Sequence, residues 1–210
     1  MAAILLEGVS KRFTIQHERP RSFQELLVSF LHHRNGTREE FWALRDVSLA
    51  VEAGETFGII GPNGSGKSTI LKLITRILEP TTGRISVDGK VAALIELGAG
   101  FHPDLTGREN IYLLGSIMGF STKQMRQRFD RIVQFAEVEQ FIDTAIKHYS
   151  SGMAIRLGFA VAVNLDADTL LIDEVLAVGD LHFQERCLQT IEEFQRQGKT
   201  ILMVSHDLGL

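Results

Sequence analysis

The chain has 210 residues, 44% apolar and 23% charged, with 19 glycines, which is globular usage rather than that of a disordered or collagen-like chain. Lys and Arg number 22 against 26 Asp and Glu, a formal charge of −4, which argues against a chain-wide footprint for nucleic acid. A single cysteine, Cys187, excludes an internal disulfide and fits a reducing compartment, and the longest apolar run, around Leu157 to Val163, falls far short of the ~20 residues a membrane span needs.

The start, Met-Ala-Ala-Ile-Leu-Leu-Glu, has neither a basic n-region nor a long apolar stretch, so the expectation is a cytoplasmic chain without a signal peptide. Residues 2 to 8 predict an edge strand. Residues 11 to 40 break the pattern: Lys11, Arg12, Arg19, Arg21, Arg34 and Arg38 outnumber Glu18, Glu25, Glu39 and Glu40, and His17, His32 and His33 join them. Within this stretch Ser22 and Glu25 form a capping box, and Phe23, Leu26, Leu27, Phe30 and Leu31 fall on one stripe of a helix. From Trp42 to Ala53 the alternation of Leu44, Val47, Leu49 and Val51 predicts a half-buried strand, and Thr56 to Ile60 a buried parallel one. A helix is expected from Lys67 to Leu78, a turn from Pro80 to Gly83, and strands at Arg84 to Val87 and Val91 to Ile95. Loop signals at Gly98, Gly100 and Pro103 lead into helical patterns at 108–118, 122–136 and 151–163, the middle one capped by Ser121 with Gln124. A strand at Thr169 to Ile172, a helix at Leu181 to Arg196 and a strand at Thr200 to Val204 complete the order. Strands alternating with helices predict an α/β fold with a parallel sheet, and residues 97–165 a helical subdomain set into it.

Gly61-Pro62-Asn63-Gly64-Ser65-Gly66-Lys67-Ser68 fits G-x-x-x-x-G-K-[ST] at every fixed position, after an apolar strand and at the start of a helix that continues with Thr69. Glycines let backbone N–H groups turn inward as an anion nest, and the helix N-terminus adds its partial positive charge. Lys67 can then reach the β- and γ-phosphates of ATP, and Ser68 can ligate Mg²⁺. The apolar strand Thr169-Leu170-Leu171-Ile172 ends in Asp173 and Glu174. Asp173 is the candidate second contact to Mg²⁺, and Glu174 the candidate general base for an attacking water.

At these residues the sequence resembles the ATP-binding subunits of ABC transporters, over nearly its whole length. The resemblance implies a P-loop NTPase with a RecA-like parallel sheet, an N-terminal antiparallel β subdomain and the inserted helical subdomain. That family carries a Leu-Ser-Gly-Gly-Gln signature; here Tyr149-Ser150-Ser151-Gly152-Met153 stands in its place, with Ser150 23 residues before Asp173. Ser150 and Gly152 match, and would present a hydroxyl and backbone N–H groups to a γ-phosphate. Asp180 matches the family's D-loop aspartate and His206 its switch histidine. No glutamine lies between Gln24 and Gln124, so Glu96 or a neighbour occupies the Q-loop region. The adenine-stacking aromatic is Phe13 or its competitor Trp42, with Phe13 favoured.

Tyr-Ser-Ser-Gly-Met followed by Arg156, Glu-Leu-Gly-Ala-Gly-Phe-His-Pro from Glu96, and Val178 to Gln184 are similar to exporters of lipid-linked polysaccharide such as O-antigen, teichoic acid or capsule. The resemblance implies an ATPase that pairs head to tail with a second copy of itself. It also implies separate transmembrane permease subunits, a peripheral place on the cytoplasmic side of the inner membrane, and an amphipathic helix over residues 20–34 at the membrane interface. A soluble cassette ATPase acting on ribosomes or DNA is disfavoured by the single cassette and the negative charge, and no nucleic-acid partner is expected. The family fold continues past the position of Leu210, so the expectation is a truncated chain. Cys187, in the pattern Phe183, Cys187, Leu188, Ile191 and Phe194, is expected in the core.

Overall fold

The computed structural model describes residues 1–16, 38–94, 100–173 and 180–205. The helix expected over residues 20–34, together with Glu96, Glu174 and His206, lies outside the described residues. In chain order the elements are β1 (Ala2–Gln16), β2 (Arg38–Glu52), β3 (Thr56–Ile60), α1 (Lys67–Ile74), β4 (Thr82–Val87) and β5 (Val91–Leu94). They continue with α2 (Gly107–Ile117), α3 (Thr122–Ala136), α4 (Ser151–Asn164), β6 (Thr169–Asp173), α5 (Leu181–Arg196) and β7 (Thr200–Ser205).

The strands form two sheets. One is antiparallel with the order β2-β1-β4, the other has the order β3-β7-β6-β5 and is parallel throughout. Several expectations change here; β4, for one, starts at Thr82, inside the turn expected from Pro80 to Gly83. The first strand runs to Gln16 rather than ending near Gly8, and its partner starts at Arg38 rather than Trp42. Cross-strand pairing extends both: Arg12 stands opposite Trp42 and Phe13 opposite Phe41, and Arg12 donates to the Glu40 carboxylate at 2.8 Å. The Thr56–Ile60 strand is not buried. It pairs only with β7 among the described residues, and Ile60 is 50% exposed. The helix begun at Lys67 ends at Ile74, because the Thr75 hydroxyl donates to the Leu71 and Lys72 carbonyls and Arg76 turns left-handed at φ 58°.

Three apolar clusters hold these layers. α1 lies between the sheets, its Ile70, Leu71, Leu73 and Ile74 packed with Ile4, Leu6 and Val9 of β1 and with Leu171, Leu202 and Val204. Across the parallel sheet Leu170, Ile172 and Ile201 meet Phe183, Ile191 and Phe194 of α5 and Phe159 and Val163 of α4. Cys187 is part of this second cluster as expected, its thiol pushed up to about 12 by burial, whereas Leu188 faces outward. The third cluster belongs to the helical subdomain and joins Ile111, Met125, Ile132 and Val133 to Leu157, Ala160 and Val161 of α4. α4 therefore buries opposite sides of itself in two cores, which is why its sequence is apolar all round.

A polar knot opens this subdomain. Asn110, wholly buried, accepts from the His102 N–H at 2.7 Å and donates to the carbonyls of His102, Leu105 and Thr106. Asn110→Ala should cost roughly 2–3 kcal/mol, since the groups it satisfied stay buried. For a chain of this size that is a fall in melting temperature of about 5–10 °C, readable by calorimetry.

Candidate functional site

The phosphate-loop sequence folds as its glycines dictate. Gly64 and Gly66 take φ of 81° and 93°, a region L-residues rarely enter. Ser65 N–H returns to the Pro62 carbonyl at 3.2 Å, and Gly61 N–H is tied to the Ser205 carbonyl of β7 at 3.3 Å. Gly66 is also held by lack of room, as a Cβ there would stand 2.7 Å from the Ala43 carbonyl oxygen and 2.8 Å from Leu44 Cδ2. β2 thus forms the floor of the loop. Lys67, buried, curls back to donate to the Gly61 carbonyl at 2.7 Å and the Pro62 carbonyl at 3.1 Å.

Among the described α-helices α1 alone has no side chain capping its N-terminus, and no acidic residue stands in its first turn. A helix start leaves its first N–H groups without intrahelical partners, at the positive end of the helix dipole. A nest with two left-handed glycines, an uncapped helix start and a lysine amine folded over it fits a polyphosphate, and fits it through backbone donors. Asn63, Ser65 and Ser68 are exposed on this rim and Thr69 is half-buried behind it.

Parallel register brings the second motif to the same edge. Ile60 of β3 pairs with Ser205, and Asp173 of β6 with Val204, so the loop and the aspartate leave the carboxyl ends of strands that flank β7. At the usual spacing between strands they are about 10 Å apart, the span of a phosphate chain with its cation. The donors, a serine hydroxyl and one carboxylate, are hard oxygens of the kind Mg²⁺ takes alongside phosphate and water. Among the described residues no three His, Cys, Asp or Glu side chains gather as a protein-only metal cage.

Ser150 begins α4. Its hydroxyl oxygen accepts from the Met153 N–H at 3.2 Å, and no acidic residue enters the first turn. A Cβ on Gly152 would meet only Ser150 Oγ, at 3.9 Å, so internal packing does not ask for glycine there. Tyr149, the departure from the leucine of the resembled family, donates its hydroxyl to the Phe141 carbonyl at 2.7 Å and packs on Gly107. Behind it, Arg108 N–H reaches the Ile142 carbonyl, Gly107 N–H that of Thr144, Ile146 N–H that of Leu105 and Lys147 N–H that of Pro103. This zipper ties the loop after Gly100 to the segment that ends in Ser150. Its anchor, a capping box of Thr106 and Glu109 on α2, was missed in the sequence although T-x-x-E is plainly there. The expected box of Ser121 and Gln124 is present.

Asp180 sits on a described residue but is occupied. Its carboxylate accepts from the Phe183 N–H at 2.9 Å as the cap of α5. That bond, with the charges of Arg156 and His182 behind it, holds its carboxyl below the usual aspartate value. Phe13 and Trp42 belong to successive cross-strand pairs and so to opposite faces of the β1–β2 ladder. Phe13 is half-buried with the Lys11 amine 5.3 Å from its ring, and Trp42 lies within 5.6 Å of two guanidiniums, those of Arg12 and Arg45. Trp42 directly precedes Ala43, whose carbonyl touches the phosphate loop.

The family model described as ABC transporter matches residues 44–177, from β2 through the second motif. The chain belongs to the ABC transporter family. Its fold is that of the ATP-binding cassette: the dimeric structure of a bacterial ABC transporter cassette superposes with a TM-score of 0.75 at 25% identity, over 98% of this chain and 88% of that one. The O-antigen export system ATP-binding protein RfbB of Myxococcus xanthus is 49% identical over 100% of this chain and 49% of its own length. The teichoic acids export ATP-binding protein TagH of Lactiplantibacillus plantarum is 46% identical over 97% of this chain and 54% of its own. The chain spans about half the length of both relatives. Among the described residues no helix is long and apolar enough to cross a membrane.

Proposed function

We propose that the chain is the ATP-hydrolysing part of an ABC transporter that exports a lipid-linked polysaccharide, of the O-antigen or teichoic-acid kind, across the cytoplasmic membrane. The observation that carries the reading is the phosphate cradle of Gly61 to Ser68 on the uncapped start of α1, with Asp173 at the same sheet edge. The cargo class rests on the two export-system relatives.

Each residue has a role in this reading. Backbone N–H groups from Gly64 to Ser68 hold the phosphates, and Lys67 leaves the Gly61 and Pro62 carbonyls to neutralise the β- and γ-phosphates. Ser68 and Asp173 would hold Mg²⁺, which when bound spreads the charge of the transferring phosphoryl group. Glu174 takes a proton from the attacking water, and His206 contacts the γ-phosphate. Phe13 stacks on adenine. A second copy, head to tail, brings its Ser150 and Gly152 against the same phosphate; the room around Gly152 supports such an approach. Asp180 serves that interface from its place as the cap of α5. Closure around ATP and reopening after hydrolysis drive separate permease subunits. The 20–34 segment, with its apolar stripe and basic ends, lies at the cytoplasmic face of the membrane.

The test uses the full-length protein with an affinity tag. It should hydrolyse MgATP and recover a multispanning membrane protein from detergent extracts. Turnover indistinguishable from zero with that partner present, or recovery of ribosomal RNA in its place, refutes the proposal.

A further inference from the structure

A charge cluster outside the phosphate loop sits where α3, α4 and α5 converge. Glu137 follows α3 directly and stands in the left-handed region, φ 55°, a conformation with a cost for a non-glycine residue. That backbone turn places its carboxylate between two guanidiniums. One oxygen accepts from Arg186 of α5, the other from Arg156 of α4 at 3.2 Å. Arg156 also reaches Asp180, at 3.9 Å. Both arginines lie over aromatic rings, Arg186 4.6 Å from the centre of Phe135 and Arg156 6.0 Å from that of Phe183. Phe135 and Phe183 meet edge to face, so the charges and the rings form one body spanning all three helices. The Arg156 and Arg186 side chains are only 21% and 26% exposed while Glu137 is 44% exposed, so the carboxylate stands at the surface and the ring contacts help fix the arginines beneath it.

Two of the elements joined here carry residues that the proposed function brings against the second copy. α4 presents Ser150, Asp180 begins α5, and α3 belongs to the helical subdomain. We propose that Glu137 is a positioning residue, which through Arg156 and Arg186 locks the helix bearing Ser150 to the helix capped by Asp180, so that both surfaces meet the second copy as a unit. The strained backbone at Glu137 is then explained by what it holds. This inference rests on the reading of the chain as an ATPase that works as a pair, and it assigns to Glu137 no contact with nucleotide.

Glu137→Gln, Arg156→Gln and the double variant test it in the full-length protein. Each single change should lower kcat for MgATP about tenfold while affinity for MgADP, to which Glu137 and Arg156 contribute no contact in this reading, stays within twofold of wild type. Because both act through one contact, the double variant should lose about tenfold as well. Wild-type kcat in Glu137→Gln, loss of MgADP affinity alongside kcat, or a double variant that loses the product of the two single effects would each overturn it. Should Glu137→Gln fail to fold, Arg186→Gln carries the same expectation from the far side of the carboxylate. A wild-type protein that never hydrolyses ATP would refute the proposed function itself, which is a different result from an active wild type matched by an active Glu137→Gln.

Discussion

Glu174→Gln is expected to bind MgATP, to remain paired with a second copy, and to lose turnover by about 10²–10⁴-fold, equivalent to about 3–5 kcal/mol of barrier. The carboxamide has nearly the shape of the carboxylate and cannot take a proton from water. It removes the proposed base and spares the phosphate loop, whose proposed grip is by backbone N–H groups and Lys67. Asp173, which closes the apolar strand β6, is untouched, so the proposed metal contact persists. The consequence is kinetic. Closure around ATP proceeds, the step that reopens the pair does not, and the closed form accumulates. Size-exclusion chromatography should show the variant at twice the monomer mass with MgATP and at monomer mass with MgADP, while wild type returns to monomer as it consumes ATP. A phosphate-release rate equal to wild type would move the role of base to another residue.

What the sequence discloses follows the distance over which each feature is decided. The phosphate loop is settled within eight residues by two left-handed glycines and a helix start, and it was legible in full. The alternation of apolar and polar runs gave the parallel sheet and its helices, because each strand or helix carries its own period. Features decided by a partner were not legible. β1 and β2 exceed the expected strands because Arg12, Phe13, Phe41 and Trp42 are held by pairing across the ladder. The apolar run of β3 suggested burial, yet with β7 as its one neighbour among the described residues Ile60 is half open. The even apolarity of α4 reflects two cores on opposite sides, which a one-sided pattern cannot announce. The cluster around Glu137 joins positions 19 and 49 residues apart through a left-handed backbone turn, and no local motif records it.

Two glycine substitutions in the phosphate loop separate backbone strain from loss of room. Gly64 and Gly66 have similar φ, 81° and 93°, but different surroundings. A Cβ at Gly64 meets nothing within 4 Å, so Gly64→Ala bears only the strain of the left-handed region, about 1–3 kcal/mol. A Cβ at Gly66 meets the Ala43 carbonyl oxygen at 2.7 Å and Leu44 Cδ2 at 2.8 Å. Neither can yield cheaply, since Ala43 is backbone of β2 and Leu44 is buried in the cluster that also seats Leu71 of α1. Gly66→Ala must therefore lift the loop off β2 and tilt the first turn of α1, the turn proposed to hold the phosphates. Affinity for MgATP should fall at least about 100-fold, or 2.7 kcal/mol, against a few-fold for Gly64→Ala. Titration calorimetry on both variants reads the difference, and thermal melts without nucleotide should rank them in the same order. Equal affinities would mean that the floor formed by β2 does not set the loop, and that nucleotide is gripped elsewhere.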